Sequence, residues 1–228
     1  MKKFTQTDGM SYAEKIEFFA NSSNCISINN GNRKTGKACL TLSLPAGVTC
    51  RPDVPCKKIC YAMKGKMTFP NVCGAYHRNY RIWNEDPIRF ETQLDAFITF
   101  SGLPLLRIFD TGDLPSIDFF CMLIRIAKLH SDVKMLMFTK RYEWINEWLT
   151  VNVLPENLVV RFSMWDKSWY VPNPYDVPTA YVDFANSELN PEIPENAFLC
   201  HGGKDGVTCS SCRACFNPNI KIVKFIQH

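Results

Sequence analysis

The chain has 228 residues, 46% of them hydrophobic and 21% charged, which suits one large globular domain or two small ones with a substantial core. Its formal charge of +4 is mild and no Lys/Arg run exceeds two, so an anionic partner is permitted but not demanded. No apolar run approaches the ~20 residues of a bilayer span, and MKKFTQTDGMSY has no hydrophobic stretch behind its lysines, so the expected protein is cytoplasmic, without a membrane partner.

The first 37 residues are polar, with an amphipathic patch at SYAEKIEFFA that predicts a short helix and a turn-rich NNGNRKTGK behind it. ACLTLSLP alternates apolar and small polar residues, as a strand ending at Pro45 would. The first cysteine group follows at once. Pro70 to Asn84 and Pro87 to Thr99 read as helices, each with proline where a first turn tolerates it. LLRIF (105–109), KMLMFT (134–139), LVVRFSM (158–164), TAYVDFA (179–185) and IKIVKFI (220–226) read as strands. Helices are expected between them at SIDFFCMLIRIAKLH (116–130) and YEWINEWL (142–149). The Pro- and aromatic-rich stretch 165–178 is expected to be a loop, with a lid as one use. This alternation predicts an α/β fold, a partial (β/α) barrel with parallel strands over 38–195. An N-terminal extension (1–37) precedes it and a cysteine-rich metal-binding segment (196–228) follows.

Chemistry on such folds collects at the C-terminal ends of the strands. Those ends carry Asp110, Thr111, Gly112 and Asp113, then Thr139, Lys140 and Arg141, then Ser163 and Asp166, then Asp183. Successive polar tips favour a site over mere polar turns. The chain has eleven cysteines, an odd number that a reduced cytosol would not pair into disulfides. Eight fall into two groups, Cys50, Cys56, Cys60, Cys73 and Cys200, Cys209, Cys212, Cys215. Cys25, Cys39 and Cys121 are expected to be small buried hydrophobes.

Grouped thiolates bind soft or borderline metals. The late C-x2-C-x2-C, with Cys200 upstream and glycines 202, 203 and 206 between, suits a cubane fed by thiolates from one tight turn. Zinc remains the alternative, with His201 beside Cys200 as a mixed ligand. The early C-x5-C-x3-C presents three thiolates to a 4Fe–4S cluster and would leave one iron open; Cys73 as a fourth ligand would close it. The basic-aromatic stretch AYHRNYRIW (75–83) is expected to pack one helix face, with nucleic-acid stacking as its other use.

RIFDTGDLPSIDFF (107–120), MFTKR (137–141) and RFSMW (161–165) resemble the successive strand ends of spore photoproduct lyase and related radical S-adenosylmethionine enzymes. The order LP-x3-TC, C-x3-CYA and a late C-x2-C-x2-C is similar, over about residues 30 to 216, to a phage family called gene product eighty-eight. The first resemblance implies a partial barrel and a 4Fe–4S cluster whose open iron is chelated by S-adenosylmethionine. Its activity is reductive cleavage to a 5′-deoxyadenosyl radical, fed by an electron donor. It further implies that Cys50, Cys56 and Cys60 hold the cluster and that Thr111, Gly112 and Asp113 meet the methionine ammonium. Lys140 and Ser163 would then meet its carboxylate or ribose, with Asp113 and Lys140 as the catalytic pair. The family's usual loop is C-x3-C-x2-C, shorter than the one here. Cys200, Cys209, Cys212 and Cys215 would carry a second cluster or a structural zinc. The substrate implied is nucleic acid or a small molecule, in the host cytoplasm if the protein is phage-encoded. The alternative is a zinc- or cluster-stapled phage protein that binds nucleic acid or a host protein without turnover.

Overall fold

The computed structural model describes residues 6–164, 171–183, 192–202 and 204–226. Among them are β1 (Ile28–Asn29), β2 (Cys39–Leu42), β3 (Leu105–Ile108), β4 (Lys134–Thr139), β5 (Leu158–Ser163), β6 (Thr179–Asp183), β7 (Phe198–Leu199) and β8 (Ile222–Ile226). The helices are α1 (Tyr12–Asn21), α2 (Pro70–Glu85), α3 (Pro87–Ser101), α4 (Ile117–Leu129), α5 (Tyr142–Leu149) and the short α6 (Cys209–Cys212). The strands form one sheet in the order β1-β2-β3-β4-β5-β6-β8-β7. β1 runs antiparallel to β2, and every other pairing is parallel.

Local chemistry sets the helix ends. Ser11 and Glu14 form a reciprocal capping box at the start of α1. Asp86 caps α3 ahead of Pro87, and Gly102 ends that helix in the left-handed conformation. Ser116 caps α4 through the Phe119 amide.

The strands are apolar on both sides because both faces of the sheet are covered. On one face Leu40, Leu42, Leu106, Ile108, Met135, Met137, Val160 and Phe162 pack with Ile82, Phe90, Leu94, Phe119 and Leu123 of the helices. On the other, Cys39, Leu105, Leu136 and Val159 pack on Phe216, with Cys209 and Cys215 against them. That face therefore carries the C-terminal cysteine turn where the first carries helices.

The sheet is open, with β1 and β7 at its edges. The partial barrel is met in its coarser form, an α/β fold with a mostly parallel sheet. Helix α1 and the segment after it pack into this unit. The Asn79 amide of α2 bonds Ser27 at 2.6 Å and 2.9 Å and also the Ser43 carbonyl at 3.0 Å. A Cβ on Gly74 of α2 would come within 2.3 Å of Phe19 on α1. β1 and β7, two residues each, lack the length to show a periodicity and were not expected. Of the three cysteines expected to be buried, Cys39 is buried, Cys121 half-buried and Cys25 exposed; Cys25 follows α1 in a polar turn that the core does not reach. Residues 165–170 of the expected lid, with Asp166, lie outside the described residues. Among the described residues no helix is long and apolar enough to cross a membrane.

Candidate functional site

The parallel strands β2 to β5 deliver their C-terminal ends to one edge, and the loop after β2 folds back across it. Three contacts fix that loop to the tip of β3. Thr111 Oγ1 donates to the Leu44 carbonyl at 2.7 Å, the Leu44 amide to the Thr111 carbonyl at 3.1 Å, and the Asp113 amide to Thr49 Oγ1 at 3.1 Å. Gly112 sits at φ +78°, where a Cβ would meet Leu44 O and Thr49 Oγ1, each at 2.7 Å. Only glycine allows this close crossing.

Further contacts tie the loop to the next tip. Arg141 donates to the Thr49 carbonyl at 3.0 Å and stacks on Trp144 at 4.5 Å. Arg51 bridges Asp53 and Glu143, each at 2.9 Å, and reaches the Lys140 carbonyl at 3.3 Å. The buried Asp113 carboxylate accepts from the Leu114 amide at 2.7 Å, Thr139 Oγ1 at 2.7 Å and the Lys140 amide at 2.9 Å. Its position is that of a clasp between the β3 and β4 tips.

These constraints enclose a cavity of about 310 Å³. Cys50, Cys56 and Cys60 line it from the loop, the last two on and beside a 3-10 turn, Pro55–Ile59. Thr111, Gly112, Asp113, Lys140 and Ser163 line it from the strand ends. Phe138, Val182 and Phe225 add apolar wall, and Tyr61 closes one side with its hydroxyl on the Asp110 carbonyl. Burial is the main cause raising the Cys50 and Cys56 thiols, with Lys140 pulling the other way on both. Cys73 lies elsewhere. It lines a neighbouring cavity with Tyr12, Met67 and His77, and its thiol lies 3.2 Å from the Met67 carbonyl.

Cys200, Cys209, Cys212 and Cys215 together line a cavity of about 30 Å³ on the sheet face opposite the helices, and His201 lines it too. The turn that bears them is held from outside by the Cys209 and Ser210 amides, which bond the Lys34 and Thr35 carbonyls at 2.9 Å and 3.0 Å. It is held from beneath by Arg161, fully buried, which donates to the carbonyls of Cys215 (2.9 Å), Asn217 (3.0 Å) and Ala214 (3.3 Å). Burial pushes the Cys215 thiol up to about 12. All eleven cysteines are free thiols. Among the described residues no three His, Cys, Asp or Glu side chains form a group that could hold a metal ion. The two cysteine sets ring cavities without closing into such a ligand shell.

Arg107 opens the stretch 107–120 without a role in the resemblance, and it touches both places. It lines the larger cavity, lies 2.8 Å from Asp110 without alignment for a hydrogen bond, stacks on Phe138 at 5.3 Å, and reaches Cys209 Sγ at 3.8 Å. Its signal was present: LLRIF and LVVRFSM each carry one arginine in an apolar strand. Of the stretch 75–83, Asn79, Ile82 and Trp83 are buried, and Arg78 and Arg81 donate to the Phe19 and Ser23 carbonyls at 3.1 Å and 2.9 Å.

No curated protein and no solved structure matches the chain. A family model described as gene product 88 matches residues 19–218, a span that contains both cysteine groups, the clasp at Asp113 and both inward arginines. The chain belongs to the gene product 88 family.

Proposed function

We propose that the 310 Å³ cavity seats a 4Fe–4S cluster on Cys50, Cys56 and Cys60 beside a small polar ligand of the S-adenosylmethionine type, in an enzyme of radical type. The reading is carried by one observation: three thiols and the polar strand-end residues Thr111, Asp113, Lys140 and Ser163 line the same cavity, while Cys73 lines another. The donor set fits. Thiolates suit iron, and a cavity between thiols and polar groups leaves room for a ligand that a closed four-cysteine site would exclude. Such a cluster supplies one-electron chemistry to whatever is chelated at its open iron.

The chain's own groups then divide the work. The Thr111 hydroxyl and the Asp113 carboxylate hold the walls, the first spent on the loop crossing and the second on the clasp between strand tips, and Gly112 leaves room for that crossing. Lys140, Lys34 and Arg107 give the cavity a positive lining suited to a carboxylate. The phenylalanines exclude water from one side.

Anaerobic purification with iron, sulfide and zinc analysis tests the reading. A brown protein that releases 5′-deoxyadenosine from S-adenosylmethionine under dithionite is expected; a colourless, sulfide-free zinc protein would sink it.

A second reading draws on one surface. Residues 54–84 contain no Asp or Glu, and Lys57, Lys64 and Lys66 are exposed there together with Tyr61, Met63 and Phe69. Bases stack on such aromatics while lysines meet phosphates. On this reading the metals serve stability and the lip binds nucleic acid without turnover. Anisotropy of a labelled single-stranded oligonucleotide separates the two: tight, salt-sensitive binding by a protein that turns nothing over favours the second.

A further inference from the structure

We infer that Cys200, Cys209, Cys212 and Cys215 hold a second, polynuclear iron–sulfur centre, not a structural zinc ion, and that the buried Arg107 and Arg161 balance its charge.

Burying a guanidinium is costly unless a counter-charge accompanies it. Arg161 is 0% exposed, makes no ion pair among the described residues, and leaves Nη1 without a hydrogen-bond partner there. Its three bonds go to neutral carbonyls, all in the turn from Ala214 to Asn217. Arg107 is 7% exposed, and its acid Asp110 occupies only one side; the other faces Cys209 Sγ at 3.8 Å. With one acid, Asp110, for two buried cations, this sheet face is short of negative charge. Four thiolates around metal supply it, each thiol giving up its proton on ligation.

Ligand spacing separates the two kinds of centre. A tetrahedral zinc is touched by all four ligands at about 2.3 Å for sulfur and needs no void between them. Among the described residues no three of these side chains meet as the ligands of a single ion must; the four sulfurs instead line a cavity of ≈ 30 Å³. A cluster, whose thiolates bind different irons, does not require its cysteines to meet at one point. The Gly202 amide already points at Cys200 Sγ, 3.4 Å away, as amides do that stabilise ligating sulfur.

This site stands apart from the proposal for the larger cavity, and the test keeps them apart. The full-length triple variant Cys50→Ala, Cys56→Ala, Cys60→Ala removes the first seat. It is reconstituted anaerobically with ferrous iron and sulfide under a thiol reductant, and in parallel with zinc. About four irons and four sulfides per chain are expected to remain, and to be lost when Cys212→Ala is added. One zinc with no sulfide, or no metal, would overturn the inference. If the triple variant does not fold, the wild type is compared with Cys212→Ala and with Cys121→Ala as control: loss of a whole cluster's iron in the first alone supports the site, and equal iron in all three refutes it. Arg107→Gln reads the charge balance. Removing a buried cation should shift one cluster's midpoint potential to more negative values with iron content unchanged. A fixed potential would refute the role given to Arg107.

Discussion

Replacing Gly112 with alanine tests whether the loop bearing Cys50 is seated by close backbone crossing. The new Cβ would stand 2.7 Å from Leu44 O and Thr49 Oγ1 and 2.9 Å from Leu44 C, so backbone must move. Two costs add. A non-glycine residue in the left-handed region costs about 1–2 kcal/mol, and overpacking costs about 1–3 kcal/mol, for a total of about 2–5 kcal/mol. Gly102 supplies the internal control. It has a similar φ of +61° and nothing within 4 Å of an added Cβ, so Gly102→Ala bears only the conformational part. Urea unfolding of both variants isolates the packing cost as their difference. In thermal unfolding each kcal/mol is worth about 2–4 °C for a chain this long. Gly112→Ala should also release the Asp113 amide from Thr49 and lower metal retention at the first cysteine group. Equal destabilisation by the two substitutions would refute the crossing as the device that seats the loop.

Cys73→Ala should leave the iron content of the first site unchanged, whereas Cys56→Ala should abolish it; equal loss on metal analysis would return Cys73 to the ligand set. Asp113→Asn places an NH2 among three donors, so a loss of about 1–3 kcal/mol in urea unfolding is expected, and an unchanged stability would deny the clasp. Phe216→Ala opens the core beneath the cysteine turn, where Phe216 is 2% exposed. It should cost about 3–5 kcal/mol and loosen metal at Cys209 and Cys215 before it affects Cys50. If the lip at Lys57, Lys64 and Lys66 carries nucleic acid, the triple alanine variant should flatten the logarithmic salt slope by about 2 for single strands; an unchanged slope places the contact elsewhere.

The elements most legible in the sequence were those whose burial is periodic. β4 and α5 fall at 134–139 and 142–149 in both the sequence reading and the structure, because each has one side or both sides set by the core. The cysteine loop was legible as ligand chemistry but not as shape. Its path is fixed by distant partners, Thr111, Arg141 and Glu143, which no local pattern relates to Cys50. The strand-end residues were legible as a group because parallel strands in chain order bring their tips together. What each does was not, since a carboxylate that clasps and one that meets a ligand read alike in sequence. Asp113 shows the difference only through its three donors.

Arg107 and Arg161 carry the same point into energetics. In a strand alternating between two covered faces, an arginine belongs on whichever face offers it a counter-charge or acceptors. The helix-covered face is a hydrophobic cluster, mostly Leu, Ile, Met, Val and aromatic rings, and offers no counter-charge. Both arginines therefore take the other face, where Arg161 pairs in register with Phe138 and Arg107 with Leu136. Helices could not cover that face, because helix backbones keep their carbonyls for their own amides. An irregular turn has carbonyls to spare, and Ala214, Cys215 and Asn217 give theirs to Arg161. The cysteine turn is thus the covering that two buried cations call for. Its free carbonyls meet one arginine, and its sulfurs approach the other.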